Sequence, residues 1–94
     1  MDQLHRLQVI TEIIGEFRTA ILLDNEPEQM GRMVLEVIQE VGDPPLADSV
    51  LNAYMKLANR ESAVSYLDEA IKRLHDQIDV LLTSGRPQTD SIKH

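Results

Sequence analysis

The sequence predicts an all-α protein: a small four-helix bundle-like domain that pairs with a second copy of itself. Three observations carry that prediction. Apolar residues recur at alternating steps of three and four in four successive segments, the spacing that lines one face of an α-helix. Proline, glycine and asparagine fall between those segments, where helices start and stop. Finally, 94 residues with only three aromatic side chains, Phe17, Tyr54 and Tyr66, give a thin aliphatic core, because a chain this short buries only about 60–70% of the surface its unfolded form exposes. A thin core gains from a partner subunit, so a homodimer is expected. One domain over residues 1–85 and a flexible tail over 86–94 follow from the polar composition that begins at Arg86.

The first helix is predicted over residues 3–23. Leu7, Ile10, Ile14, Phe17 and Ile21 form its core stripe, widened by Leu4, Ile13 and Ala20, in spite of Gly15, which costs about 1 kcal/mol relative to alanine. Asn25 is read as the cap of a second helix over 26–41, with Glu28 three residues on as its capping partner and Pro27 in the first turn. Met30, Val34, Val37 and Val41 form its apolar row, with Met33 and Ile38 beside it, and Gly42 ends it in a left-handed conformation. Asp43-Pro44-Pro45 restarts the chain into a third helix over 44–58, whose apolar face is Leu46, Val50, Leu51, Tyr54, Leu57 and Ala58. Asn59 either ends this helix and caps the next or lies within one continuous helix. The competition of Asn59 and Ser62 for backbone hydrogen bonds favours a break.

The fourth helix, over 60–83, carries the most regular pattern: Val64, Leu67, Ile71, Leu74, Ile78 and Leu81, the seam expected to form the core or a dimer contact. As a heptad, with Val64, Ile71 and Ile78 at a sites and Leu67, Leu74 and Leu81 at d sites, it has the arrangement that favours a parallel two-stranded coil. The flanking positions disagree. Asp68, Ala70, His75, Gln77 and Leu82 supply no ladder of ion pairs, and Ala70 and Leu82 broaden the apolar face. A bundle helix contacted on two sides explains the pattern better.

Composition excludes several functions. The chain has no cysteine, hence no disulfide framework, thiolate metal site or thiol nucleophile, and a reducing cytoplasmic setting is expected. No stretch approaches the roughly 18 apolar residues of a membrane span. Glu12 with Glu16 and Glu36 with Glu40 stand four apart, as carboxylate metal ligands on a helix do, yet no Glu-x-x-His pair accompanies them and they read as a solvated face. His75 and Asp79 make two ligands without a third. No serine elbow or glycine-rich phosphate loop is present, so neither catalysis, a cofactor, a metal nor a small-molecule substrate is expected.

The net charge of −7 is uneven: residues 1–43 carry nine acids and three bases, residues 44–94 seven acids and six bases. An acidic front half suits a basic protein surface and repels nucleic acid. Lys56, Arg60, Lys72 and Arg73 would carry DNA binding if the two helices around Asn59 formed a DNA-reading unit, but Asp68 is placed to pair with Lys72 and Glu69 with Arg73 at four-residue spacing. The favoured reading is a non-enzymatic regulator or adaptor that docks helix faces on another protein. Leu22, Leu23, Leu35 and Val80, apolar but off the main stripes, are its candidate contacts, with Glu36 and Glu40 steering. A small DNA-binding transcriptional regulator is the alternative.

Met30-Gly31-Arg32-Met33-Val34-Leu35-Glu36-Val37-Ile38 followed by Gly42-Asp43 resembles the AriR-type connector proteins of enteric bacteria, which link signalling to biofilm formation and acid resistance. The resemblance spans residues 28–74, with helical segments Leu46 to Leu57 and Val64 to Leu74 in similar places. Gly31 and Gly42 stand one position farther apart than in that family, and the first helix is strongly apolar where the family tends to be polar. The resemblance implies a small dimeric regulator that works through protein contacts, with DNA association possible.

Overall fold

The computed structural model describes residues 3–84; the expected tail at 86–94, with Gly85 before it, lies outside the described residues. Among the described residues four helices follow one another: α1 (Gln3–Leu23), α2 (Pro27–Gln39), α3 (Pro44–Met55) and α4 (Arg60–Ser84). Each packs on its neighbours in the chain, and α1 packs on α4 to close the ring. Cross-links between helices set their directions. Arg18 near the end of α1 meets Asp68 in the first half of α4, Asp43 at the start of α3 meets Arg73 and Gln77 in the second half of α4, and Phe17 and Tyr54 meet beside Gly31. These pairings place successive helices antiparallel, as short connections require. The domain is an all-α, up-down-up-down four-helix bundle.

Three connections make the turns, each by its own device. At the end of α1 the Asn25 N–H donates to the Ala20 carbonyl (2.9 Å) and the Asp24 N–H to the Ile21 carbonyl (3.3 Å), a Schellman-type closure with Asp24 in the left-handed region at φ 54. Glu26, also left-handed at φ 50, precedes Pro27 without a side-chain cap bond. The expected Asn25–Glu28 capping pair is thereby corrected: the Asn25 amide is consumed in closing α1, and Glu26 occupies the cap position of α2. Gly42, at φ 74, takes the left-handed turn before α3. Asp43 caps α3 in position only, since its side chain makes no cap bond. At the third connection Asn59 does cap: its side-chain oxygen accepts the Ser62 N–H at 3.2 Å. Helices α3 and α4 are therefore separate, and α3 ends at Met55, three residues short of its expected end, because Lys56, Leu57 and Ala58 form the turn.

The core axis follows the predicted stripe on α1 and departs from it on the other helices. Leu7, Ile10, Ile14, Phe17, Ala20 and Ile21 are the buried residues of α1. On α2 the buried line is Gly31, Val34 and Ile38, while Met30 and Val37 are half-buried, as is Val41 in the turn beyond its end, and Met33 is 50% exposed. On α3 it is Leu46, Val50 and Ala53, with Leu51 turned outward. On α4 it is Ala63, Leu67, Ala70 and Leu74. The heptad's d-site leucines 67 and 74 are fully buried, whereas Val64, Ile71, Ile78 and Leu81 are half-buried. The reason is shared: the axis runs through the smallest residue of each local face, Gly31, Ala53, Ala63 or Ala70, because a small side chain lets a neighbouring helix approach. The larger residues one position away wedge into the seams between helices.

Gly31 shows how tight this becomes. A Cβ built on it would lie 2.6 Å from Tyr54 Cδ1 and 2.8 Å from Phe17 Cζ, so α1, α2 and α3 meet at a point that only glycine fits. Helix length explains the exposed end of α4. At about 1.5 Å per residue, the 25 residues of α4 span roughly twice the length of the 12 residues of α3, and Val80, near Gln3 and Leu7 of α1, stands 62% exposed beyond the start of α3.

Candidate functional site

The most distinctive surface lies along α1 and α2. One open groove, roughly 590 Å³, is lined by Asn25, Glu26, Gln29, Met30, Arg32, Met33 and Glu36. A second, roughly 530 Å³, carries Glu12, Gly15, Glu16, Thr19, Ala20 and Leu23 and shares Asn25 and Met30 with the first. The two grooves adjoin at Asn25 and Met30, which line both. Their apolar floor is Met30, Met33, Leu23 and Ala20; Leu23 is 69% exposed. Around that floor stand four carboxylates, Glu12, Glu16, Glu26 and Glu36, against one guanidinium, Arg32.

Local structure explains why these residues gather there. Glu12, Glu16, Thr19 and Leu23 recur at four, three and four along the side of α1 away from its Ile14 stripe, and the Thr19 hydroxyl donates to the Gly15 carbonyl at 3.1 Å. Left-handed Glu26 swings the start of α2 so that Met30 comes against this side of α1. Methionine suits such a place, since its flexible thioether can follow an irregular apolar shape.

The sequence-predicted contact set is scattered by the fold. Leu23 and Glu36 belong to the two linked grooves. Leu22 lies elsewhere, with Leu57, Arg60 and Val64 in a hollow at the α3–α4 turn. Leu35 is not an outward-facing residue as expected: it is half-buried and packs against the core, one step along α2 from Val34. Glu40 sits past the end of α2, its amide bonded to the Val37 carbonyl at 3.1 Å, and Val80 is near the opposite end of the molecule from Leu23. Sequence reasoning missed Met30 and Met33 as surface residues. Their signal was present in Glu26, Met30, Met33 and Glu36 recurring at four, three and three; Met30 does pack against the core as its row implied, and it lines the surface grooves as well.

The four predicted basic residues do not form one patch. Lys56 and Arg60 flank the α3–α4 turn, about three helical turns from Lys72 and Arg73. The expected pairs Asp68–Lys72 and Glu69–Arg73 are replaced. Asp68 accepts from Arg18 Nε at 2.8 Å, Lys72 lies 3.5 Å from Asp76, and Arg73 donates through Nε and its terminal nitrogen to Asp43, both at 3.0 Å. Gln77 adds a third bond to Asp43 at 2.7 Å. For Asp68 and Arg73 the contact across the antiparallel seam wins over the pair along the helix, because it joins a guanidinium to a carboxylate on a neighbouring element, whereas Lys72 keeps to its own helix and pairs four residues on with Asp76. The Arg73 hydrogen bonds hold the Asp43 carboxyl below the usual carboxylate value; partial burial opposes them and the Gln77 bond assists. The Leu46 backbone amide, in the first turn of α3, pulls it the same way.

Among the described residues there is no group of three or more metal-ligating side chains, and no helix is long and apolar enough to cross a membrane. His75 and Asp79 are both exposed. No family model matches the chain, and no curated protein or solved structure matches it either. The class that can be stated is that of a small antiparallel four-helix bundle with an acid-rimmed apolar groove on its first helix pair.

Proposed function

We propose that this protein is a small non-enzymatic regulator or adaptor that works in the cytoplasm by docking another protein on a helix face. The observation that carries the reading is the pair of adjoining α1–α2 grooves, one holding exposed Leu23 with Glu12 and Glu16, the other exposed Met33 with Glu26 and Glu36. A largely open apolar floor with a charged rim is what a protein-docking patch needs: desolvated contacts at the centre and steering around them. The AriR-type resemblance points the same way.

Self-association belongs to the same proposal and uses a different surface. Val64, Ile71 and Ile78 are half-buried along one side of α4, between Leu22, 43% exposed, and Leu82, 48% exposed. A two-fold axis near Ile71 would bring the Leu22 end of one copy to the Leu82 end of the other.

Site-specific photocrosslinking in the native cell tests the docking reading. A crosslinker at Met33 is expected to trap one discrete protein that a crosslinker at Lys72 does not, and Glu16→Lys with Glu36→Lys should abolish the product. Equal labelling from both positions, or no product, would remove the docking reading. Sedimentation of the purified chain tests the pairing: a concentration-dependent dimer that is lost in Ile71→Lys is expected.

A further inference from the structure

We infer that the occupant of the α1–α2 groove is a basic amphipathic helix of a partner protein. This rests on the docking reading above and adds the chemistry of the partner. Three features of the groove lead to it. Its charged lining is nearly one-signed: Glu12 and Glu16 line one of the two adjoining grooves, Glu26 and Glu36 the other, and Arg32 is the one base among their lining residues. Rim charges of one sign select a partner of the other sign and speed its approach. Its floor of Met30, Met33, Leu23 and Ala20 accepts aliphatic side chains without demanding one shape, since methionine repacks easily. Its length fits a helix: from Glu12 to Leu23 the α1 wall runs about 17 Å, room for roughly three turns presenting apolar anchors at i, i+3, i+4 and i+7.

Charge complementarity also argues against a helix of a second copy of this chain as the occupant. Counting charged side chains in each helix, α1 has Arg6 and Arg18 against Glu12 and Glu16; α2 has Arg32 against Glu28 and Glu36; α3 has Asp48 alone; α4 has three bases against five acids. None is net basic, so no helix of a second copy complements the rim. An anionic lipid surface is disfavoured by the same repulsion.

The test uses the full chain with methyl-labelled methionine and a synthetic peptide of about 14 residues, long enough for roughly four turns, with leucine at i, i+3, i+4 and i+7 and lysine elsewhere. A matching peptide with glutamate in place of lysine is the control. The Met30 and Met33 methyl signals are expected to shift saturably, while that of Met55, 71% exposed on α3, stays in place. The peptide should gain helix by circular dichroism as it binds. Glu16→Lys with Glu36→Lys should weaken binding about tenfold or more, as should raising the salt from about 50 mM to about 500 mM.

Equal shifts at Met55, equal affinity for the glutamate peptide, or no effect of the charge reversals would overturn the inference. So would a shift of the Met33 methyl on removing residues 86–94 from the unbound chain, for then the groove holds the chain's own end. The two proposals fail separately. A single protein trapped at Met33 that carries no basic amphipathic helix leaves the docking reading standing and removes this one.

Discussion

Two glycines within helices, sixteen positions apart, face opposite demands. At Gly31 an added Cβ would press on the rings of Phe17 and Tyr54, whereas at Gly15 it would meet nothing within 4 Å. The first lies where three helices cross, the second in the wall of the open groove. The difference teaches that this bundle is tight where α1, α2 and α3 converge and loose along its acidic face, so interior fit and surface freedom are divided between two regions of one small molecule. Both glycines carry the same helix-propensity cost, so substitutions there separate packing from propensity.

The strongest way to break the comparison is to empty the tight region. Phe17 is completely buried and is the only phenylalanine in the chain. Phe17→Ala is expected to cost about 3–5 kcal/mol, the usual range for deleting a buried aromatic ring. In a domain this small that is a large part of the total stability. Urea unfolding followed by circular dichroism measures it; a loss below about 1 kcal/mol would mean that the crossing point is not tightly packed.

Overfilling the same point is the next test. Gly31→Ala should gain about 1 kcal/mol in helix propensity and lose more to the clash, for a net loss of about 1–3 kcal/mol. Rings cannot move aside as a flexible chain end can. The same substitution made in a Phe17→Leu background should cost less, and a double-mutant cycle reads the coupling directly. Gly15→Ala is the mirror experiment: a gain of up to about 1 kcal/mol is expected, with no clash to set against it. If Gly15→Ala also destabilises, the proposed division between tight and loose regions is wrong.

These contrasts bear on what could be read from the sequence. The helices, their order and the stripe from Leu7 to Ile21 were legible, because periodicity reports which face of an isolated amphipathic helix is apolar. The axis of the core on α2 and α4 was not. Periodicity weighs large apolar residues and so placed Met30, Val64 and Ile71 at the centre. Close packing rewards small ones, so Gly31, Ala63 and Ala70 hold the centre and the larger residues fill the seams. The groove was hidden because Met30 plays two parts: it packs against the core and also lines the surface, beside Glu16 on one side and with Met33 and Glu36 on the other. The ion pairs were missed for a different reason: Asp68 and Arg73 each had a plausible partner four residues away, and only the antiparallel seam reveals Arg18 and Asp43 as better placed.

The smallest expected effect asks whether polar contacts outside the core help to fix its geometry. Asp43 joins the start of α3 to α4 through Arg73 and Gln77, with its side chain only 13% exposed. Its pKa is lowered in the folded chain, so the charged clamp adds stability that is fully present above the ordinary carboxylate value and is lost as pH falls through the lowered folded value. Asp43→Asn retains a hydrogen-bond acceptor but removes the charge. Its melting temperature is expected to fall below that of the parent at neutral pH, by less than for Gly31→Ala, and the difference should close as pH drops below about 4. High salt should narrow the neutral-pH gap as well, because the Arg73 end of the pair is open to solvent. A gap that persists unchanged in acid would show that Asp43 acts through its shape and hydrogen bonds rather than its charge, and the clamp would then belong with the tight region of the bundle.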